Sequence, residues 1–111
     1  MTRTARQGLG AAGERLARRH LEDRGYQFVA ANWRCLSGEL DLVMRDGEVL
    51  VFVEVKTRRG ERLGAAEEAV TARQVDRLLS AAQQFIAERP QLADALWRID
   101  LVAITLAPSG A

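Results

Sequence analysis

Residues 38–57 read Gly38-Glu39-Leu40-Asp41-Leu42-Val43-Met44-Arg45-Asp46-Gly47-Glu48-Val49-Leu50-Val51-Phe52-Val53-Glu54-Val55-Lys56-Thr57. Glu39–Arg45 and Glu48–Thr57 are alternating runs rich in β-formers, and Asp46-Gly47 between them is a hairpin signal. With Asp46 and Gly47 as the turn, Arg45 pairs with Glu48, Asp41 with Phe52 and Glu39 with Glu54. Cross-strand partners share a sheet face. One face then carries Glu39, Asp41, Val43, Leu50, Phe52, Glu54 and Lys56. The other carries Leu40, Leu42, Met44, Val49, Val51, Val53 and Val55, all apolar. The second face is core. The first is apolar near the turn and charged at the far end.

The elements on either side complete a pattern. Residues 10–24 predict a helix that stops at Gly25, with Gly13, Leu16, Ala17, His20 and Leu21 on one stripe. His20 on that stripe reads as a packed side chain rather than a ligand. Tyr26–Arg34 predicts a strand and Ser37-Gly38 a turn. Arg58–Gly64 predicts a charged loop. Ala72–Glu88 predicts a second helix, with Val75, Leu78, Leu79, Ala82 and Ile86 on one face. Thr71 and Gln74 fit a capping box at its start, and Pro90 follows its end. Residues 96–105 predict a last strand, apolar on both faces and therefore expected in the middle of the sheet. The order α-β-β-β-α-β gives a mixed central sheet flanked by helices, an α/β fold. The helical crossover should lay the fourth strand parallel to the third.

The 111 residues fit one domain, 1–111, with an ordered core from about 8 to 105 and loose ends. The strongest apolar run, Val49–Val53, is far shorter than the roughly 20 residues of a membrane-spanning helix. The arginine-dotted start lacks the apolar stretch of a secretory signal. One cysteine, Cys35, forms no internal disulfide, and one Cys with one His builds no zinc cluster. No Walker loop or dinucleotide fingerprint is present. These features predict a reduced, cytoplasmic protein with no membrane partner.

Charge is distributed unevenly. Residues 1–26 hold six Arg against three acids, while the whole chain has a net charge of +1. Of the 16 basic residues only Lys56 is a lysine. Lysine offers a compact ammonium with a movable pKa, which the planar guanidinium does not. Lys56 shares its strand end with three carboxylates. Like charges such as Glu39 and Glu54 need compensation, from Lys56, Arg34 or Arg58, or from a divalent cation held by carboxylate oxygens.

Gly38-Glu39-Leu40-Asp41-Leu42-Val43 and Val51-Phe52-Val53-Glu54-Val55-Lys56-Thr57-Arg58, with Gly13-Glu14 before and Arg98-Ile99-Asp100 after, resemble the bacterial YraN family. That family belongs to the restriction-endonuclease-like PD-(D/E)XK superfamily and is similar to archaeal Holliday-junction resolvases. The likeness spans roughly residues 8–105 and implies the superfamily's α-β-β-β-α-β core. It also implies a metal-dependent endonuclease that hydrolyses phosphodiesters in DNA, branched DNA included. Asp41 and Glu54, with the Val55 carbonyl, would hold Mg²⁺ or Mn²⁺. Lys56 would orient or deprotonate the attacking water. Glu14 would hold a metal-bound water or complete the shell, and Glu39 would support it from behind. Arg15, Arg18, Arg19, Arg58, Arg59, Arg62 and Arg73 would grip backbone phosphates. Relatives often carry lysine at the position aligned with Gln74, which departs from the pattern; where that lysine binds phosphate in relatives, Arg73 or Arg77 would have to substitute here. A homodimer would join two weakly basic surfaces into one. The competing reading is a non-catalytic module that keeps the fold and binds nucleic acid or a protein, since fold does not prove chemistry.

Overall fold

The structure is a computed structural model and describes residues 5–60 and 71–107. Among these, helix α1 (Ala5–Asp23) precedes strands β1 (Gln27–Cys35), β2 (Gly38–Asp46) and β3 (Val49–Arg59), then helix α2 (Ala72–Ala87), a 3-10 turn (Pro90–Leu92) and strand β4 (Leu96–Leu106). The order matches the sequence pattern. Residues 5–8, expected to be loose, are the first turn of α1. The expected loose ends at 1–4 and 108–111, and most of the expected loop at 58–64, lie outside the described residues; Arg58 and Arg59 extend β3 instead.

One four-stranded sheet runs β1-β2-β3-β4. The first three strands form an antiparallel meander, and β4 lies parallel to β3 in unbroken register from Val49↔Leu96 to Arg59↔Leu106. The second hairpin closes one residue later than its sequence implied. Asp46 pairs with Val49, Val43 with Phe52 and Leu42 with Val53. Gly47 has φ +61° and, among the described residues, the one non-glycine with positive φ is Asn32. Gly47 is therefore the first of two turn residues, as type II′ geometry favours, and Glu48 is the second. The shift brings Asp41, not Glu39, level with Glu54.

A helix covers each face. Ala17 and Leu21 of α1 pack on Leu42, Met44, Val51, Val53 and Val55. Leu78, Ala81, Ala82 and Phe85 of α2 pack on Val43, Leu50 and Phe52. Phe85 stands edge-on to Trp33 (5.2 Å between centroids) and Phe52 (5.7 Å), and Phe52 edge-on to Trp97 (5.6 Å), so these aromatics are core rather than base-stacking platforms. The buried stripe of α1 is narrower than expected: Gly13, Ala17 and Leu21 are inside, whereas Leu16 and His20 are exposed. Gly13 is required by close approach, because a Cβ there would overlap the Thr57 side chain. The capping box of α2 is formed, with Gln74 N–H donating to Thr71 Oγ1 (3.2 Å) and Thr71 N–H to Gln74 Oε1 (3.0 Å).

Two expectations are corrected. The strand β4 is an edge strand, not a central one. Its Val102 and Ile104 face the α1 cluster and its Trp97 and Ile99 the α2 cluster, so two helical layers account for apolar residues on both faces. Leu40 leaves the all-apolar face assigned by alternation and joins the α2 cluster with Val43. Its partner Trp33 turns the same way, and Asn32 between Ala31 and Trp33 sits at φ 51°. A left-handed residue in a strand rotates the residues beyond it relative to those before.

Candidate functional site

The site is built where β2 and β3 part. Their ladder ends at Leu42↔Val53. Beyond it the Val55 N–H, which a continued ladder would direct to a backbone carbonyl of β2, donates to the Asp41 carboxylate (Oδ2, 2.8 Å). A side chain thus replaces the ladder and wedges the fork open. Because a strand residue presents N–H and C=O on the same edge, the Val55 carbonyl faces this fork as well.

The fork opens into a recess of about 250 Å³ lined by Gly38, Glu39, Asp41, Glu54, Lys56, Gln74, Arg77 and Leu78. The two carboxyl groups of Asp41 and Glu54 meet. Glu54 is pushed up from 4.5 to about 8, first by burial, then by the hydrogen bond and negative charge of Asp41, with Lys56 pulling the other way and Glu39 adding to the rise. Glu39 is paired with Arg34 (3.5 Å) across the first hairpin. The like-charge compensation sought in the sequence therefore has two visible parts, Lys56 and Arg34.

The other sequence-derived residues fall in several places. Glu14 lies on α1, against the opposite face, and lines a separate recess of about 180 Å³ with Arg15, Arg18, Asn32 and Leu42. Arg18 is tied to Glu22 (3.3 Å) and stacks over Phe28 (3.6 Å to the centroid). Arg15 and Arg19 are exposed on α1. Arg58 is half-buried, and among the described residues no acceptor meets its Nε and Nη1. The Arg59 side chain and Arg62 lie outside the described residues. Arg73 is exposed on α2 and does not line the fork; Gln74 and Arg77 do. Among the described residues no three His, Cys, Asp or Glu side chains form a ready-made metal cluster.

Arg98 and Asp100 have a structural task. Arg98 Nε donates to both Asp100 carboxylate oxygens (3.1 Å each), and its Nη2 donates to Tyr26 Oη (2.9 Å) and Asp46 Oδ2 (3.4 Å). These bonds tie the edge strand to the hairpin end and to the entry of β1. They also raise the guanidinium pKa, Asp100 chiefly.

This geometry can be set beside known proteins. Residues 13–104 match the model of a family described as Uncharacterised protein family UPF0102. The chain belongs to the UPF0102 family. This is the YraN family that the Gly38–Val43 and Val51–Arg58 segments resemble. UPF0102 relatives include a protein of Frankia alni, 46% identical over 110 residues (99% of this chain, 91% of the relative). One of Beutenbergia cavernae is 50% identical over 107 residues (96% and 90%). One of Ectopseudomonas mendocina is 46% identical over 97 residues (87% and 82%). No helix among the described residues is long and apolar enough to cross a membrane.

Proposed function

We propose that this UPF0102 protein is a Mg²⁺- or Mn²⁺-dependent endonuclease that hydrolyses phosphodiester bonds in DNA, branched DNA included. The observation that carries the reading is the meeting of Asp41 and Glu54, with Lys56 beside them, at a fork where a strand ladder has been given up. Half-burying two carboxyl groups against each other costs stability, and Glu54 keeps a proton far above its usual range to limit that cost. A hard divalent cation fits this donor set: it takes carboxylate oxygens, and the Val55 carbonyl faces the same fork. When bound, such an ion lowers the pKa of a coordinated water and neutralises charge developing on the phosphate.

The chain's own groups then divide the work. Asp41 is oriented by the Val55 N–H, so its carboxylate is fixed before any ligand arrives. Lys56 either takes the water's proton as the free amine or, as the ammonium, orients the water and steadies the phosphate oxygens. Glu39, neutralised by Arg34, supports the site from the recess wall. Glu14 lies against the opposite face in its own recess and takes no part in this division of work. Arg58, two residues after Lys56, would reach the DNA backbone only by turning outward, because its unmet Nε and Nη1 are buried. Arg15, Arg18, Arg19, Arg59, Arg62 and Arg73 extend the contact, more weakly where they are already paired or lie outside the fork. A homodimer would double the basic surface of a chain whose net charge is +1.

The test is cleavage of labelled linear, single-stranded and four-way-junction DNA with Mg²⁺ or Mn²⁺, native against Lys56→Ala. Metal-dependent cutting that vanishes in the variant supports the enzyme. No cutting of any substrate favours the second reading, a binding module in which Asp41 and Glu54 satisfy only each other.

A further inference from the structure

We propose that Gln74 and Arg77 on α2 form a clamp for the phosphodiester group that enters the fork, on the wall opposite Asp41 and Glu54. The proposal rests on the nuclease reading and adds to it the residues that receive the phosphate. Both side chains line the recess that holds the carboxylates and Lys56. They lie three residues apart, which puts them one above the other on a helix face. Arg73, one residue before Gln74, is turned about 100° away and lines no part of the fork.

Each member is free for this work in a different way. Arg77 is exposed and makes no ion pair among the described residues, although three acids share its recess. Glu39 is already paired with Arg34, and Asp41 accepts the Val55 N–H. The Arg77 stem lies beside the start of β2, where a Cβ on Gly38 would be at ordinary contact distance from Arg77 Cβ (3.5 Å). A planar guanidinium there matches two phosphate oxygens at once. Gln74 is fixed by its capping duty. Its Oε1 accepts the Thr71 N–H at 3.0 Å, so the donor end of the amide is the end left for the recess. The cap thus orients a hydrogen-bond donor toward an anion. A phosphodiester is the anion that needs donors on one side and a cation held by carboxylates on the other.

The experiment measures binding and folding separately. Gln74→Glu keeps the Thr-x-x-Glu capping box but has no amide donor and adds a fourth carboxylate to the recess, so a small drop in thermal midpoint is expected and is measured beside binding. Arg77→Ala removes an exposed side chain and should leave the midpoint unchanged. Binding of a fluorescein-labelled DNA duplex is followed by anisotropy across a salt series, with Ca²⁺ in place of Mg²⁺ to keep the DNA uncut. Each substitution should weaken binding about tenfold or more. Arg77→Ala should also lower the salt slope by about one, and Arg77→Lys should restore the slope but not the full affinity. Native affinity in either Gln74→Glu or Arg77→Ala overturns the clamp. If cleavage still requires Lys56 in that case, the nuclease reading survives without it. A native chain that binds no DNA overturns both.

Discussion

The two ends of the β2–β3 hairpin are built from the same strands and behave as opposites. From Asp46↔Val49 to Leu42↔Val53 the ladder is closed, and Val43, Leu50 and Phe52 are buried under α2. One residue further the strands part, Asp41 takes a backbone N–H, and polar groups fill the space. The closed half gains from burial and backbone pairing together. The open half gives up the β2–β3 pairing and gathers like charges. Stability concentrated at one end of a hairpin lets the other end hold groups that repel, because the first half fixes the position of the second.

The largest test of this contrast is Phe52→Ala. It removes the ring between Phe85 and Trp97 and should cost about 3–5 kcal/mol in urea unfolding. An equally large loss from Glu54→Ala would break the contrast. Gly13→Ala strikes the point where α1 braces β3 just past Lys56. The added methyl meets the Thr57 side chain, so a loss of about 1–3 kcal/mol is expected. A silent substitution would show that α1 does not press on the open half.

Glu54→Gln should do the reverse and stabilise the chain near neutral pH. The folded value of about 8 lies above the ordinary 4.5, so the folded state keeps a proton that the unfolded chain releases. Stability is then full below about pH 4.5 and falls as pH rises toward 8. The variant should lack this decline. Solvent at the half-exposed carboxyl reduces the effect, and a gain of about 1 kcal/mol, or about 4–8 °C in thermal midpoint, is expected at pH 7–8. A native midpoint independent of pH from 4.5 to 8 would contradict the half-buried carboxyl pair. Mn²⁺ should raise the native midpoint over the same range and leave Asp41→Asn unmoved, measured by the same melts. The smallest effect belongs to Arg98→Lys. It breaks the bidentate contact with Asp100 at the sheet edge, for about 1 kcal/mol or less in urea unfolding.

Much of this was legible in the chain because it is local. Alternation and a turn glycine marked the hairpin, Thr71-x-x-Gln74 marked the start of α2, and the α-β-β-β-α-β order followed from periods and breaks. Asp41, Glu54 and Lys56 could be put on one face because a shift of two in the sum of paired positions preserves the face. The same shift decided which carboxyl meets Glu54, and that depended on whether Gly47 was the first or second turn residue. The edge position of β4 was hidden because a strand between two helices is apolar on both faces whether or not it has a second neighbour.

The sequence by itself determined the elements, their order, the family and the residues that carry the charge. Tertiary structure decided how those residues meet. The turnover at Asn32 sends Leu40 to the α2 side, Asp41 replaces a ladder bond, α1 carries Glu14 to the opposite face, and α2 brings Gln74 and Arg77 to the fork in place of Arg73. None of these is a local preference. Each comes from packing two helices on two faces of one twisted sheet, where the fit of distant side chains outweighs the alternation of neighbours.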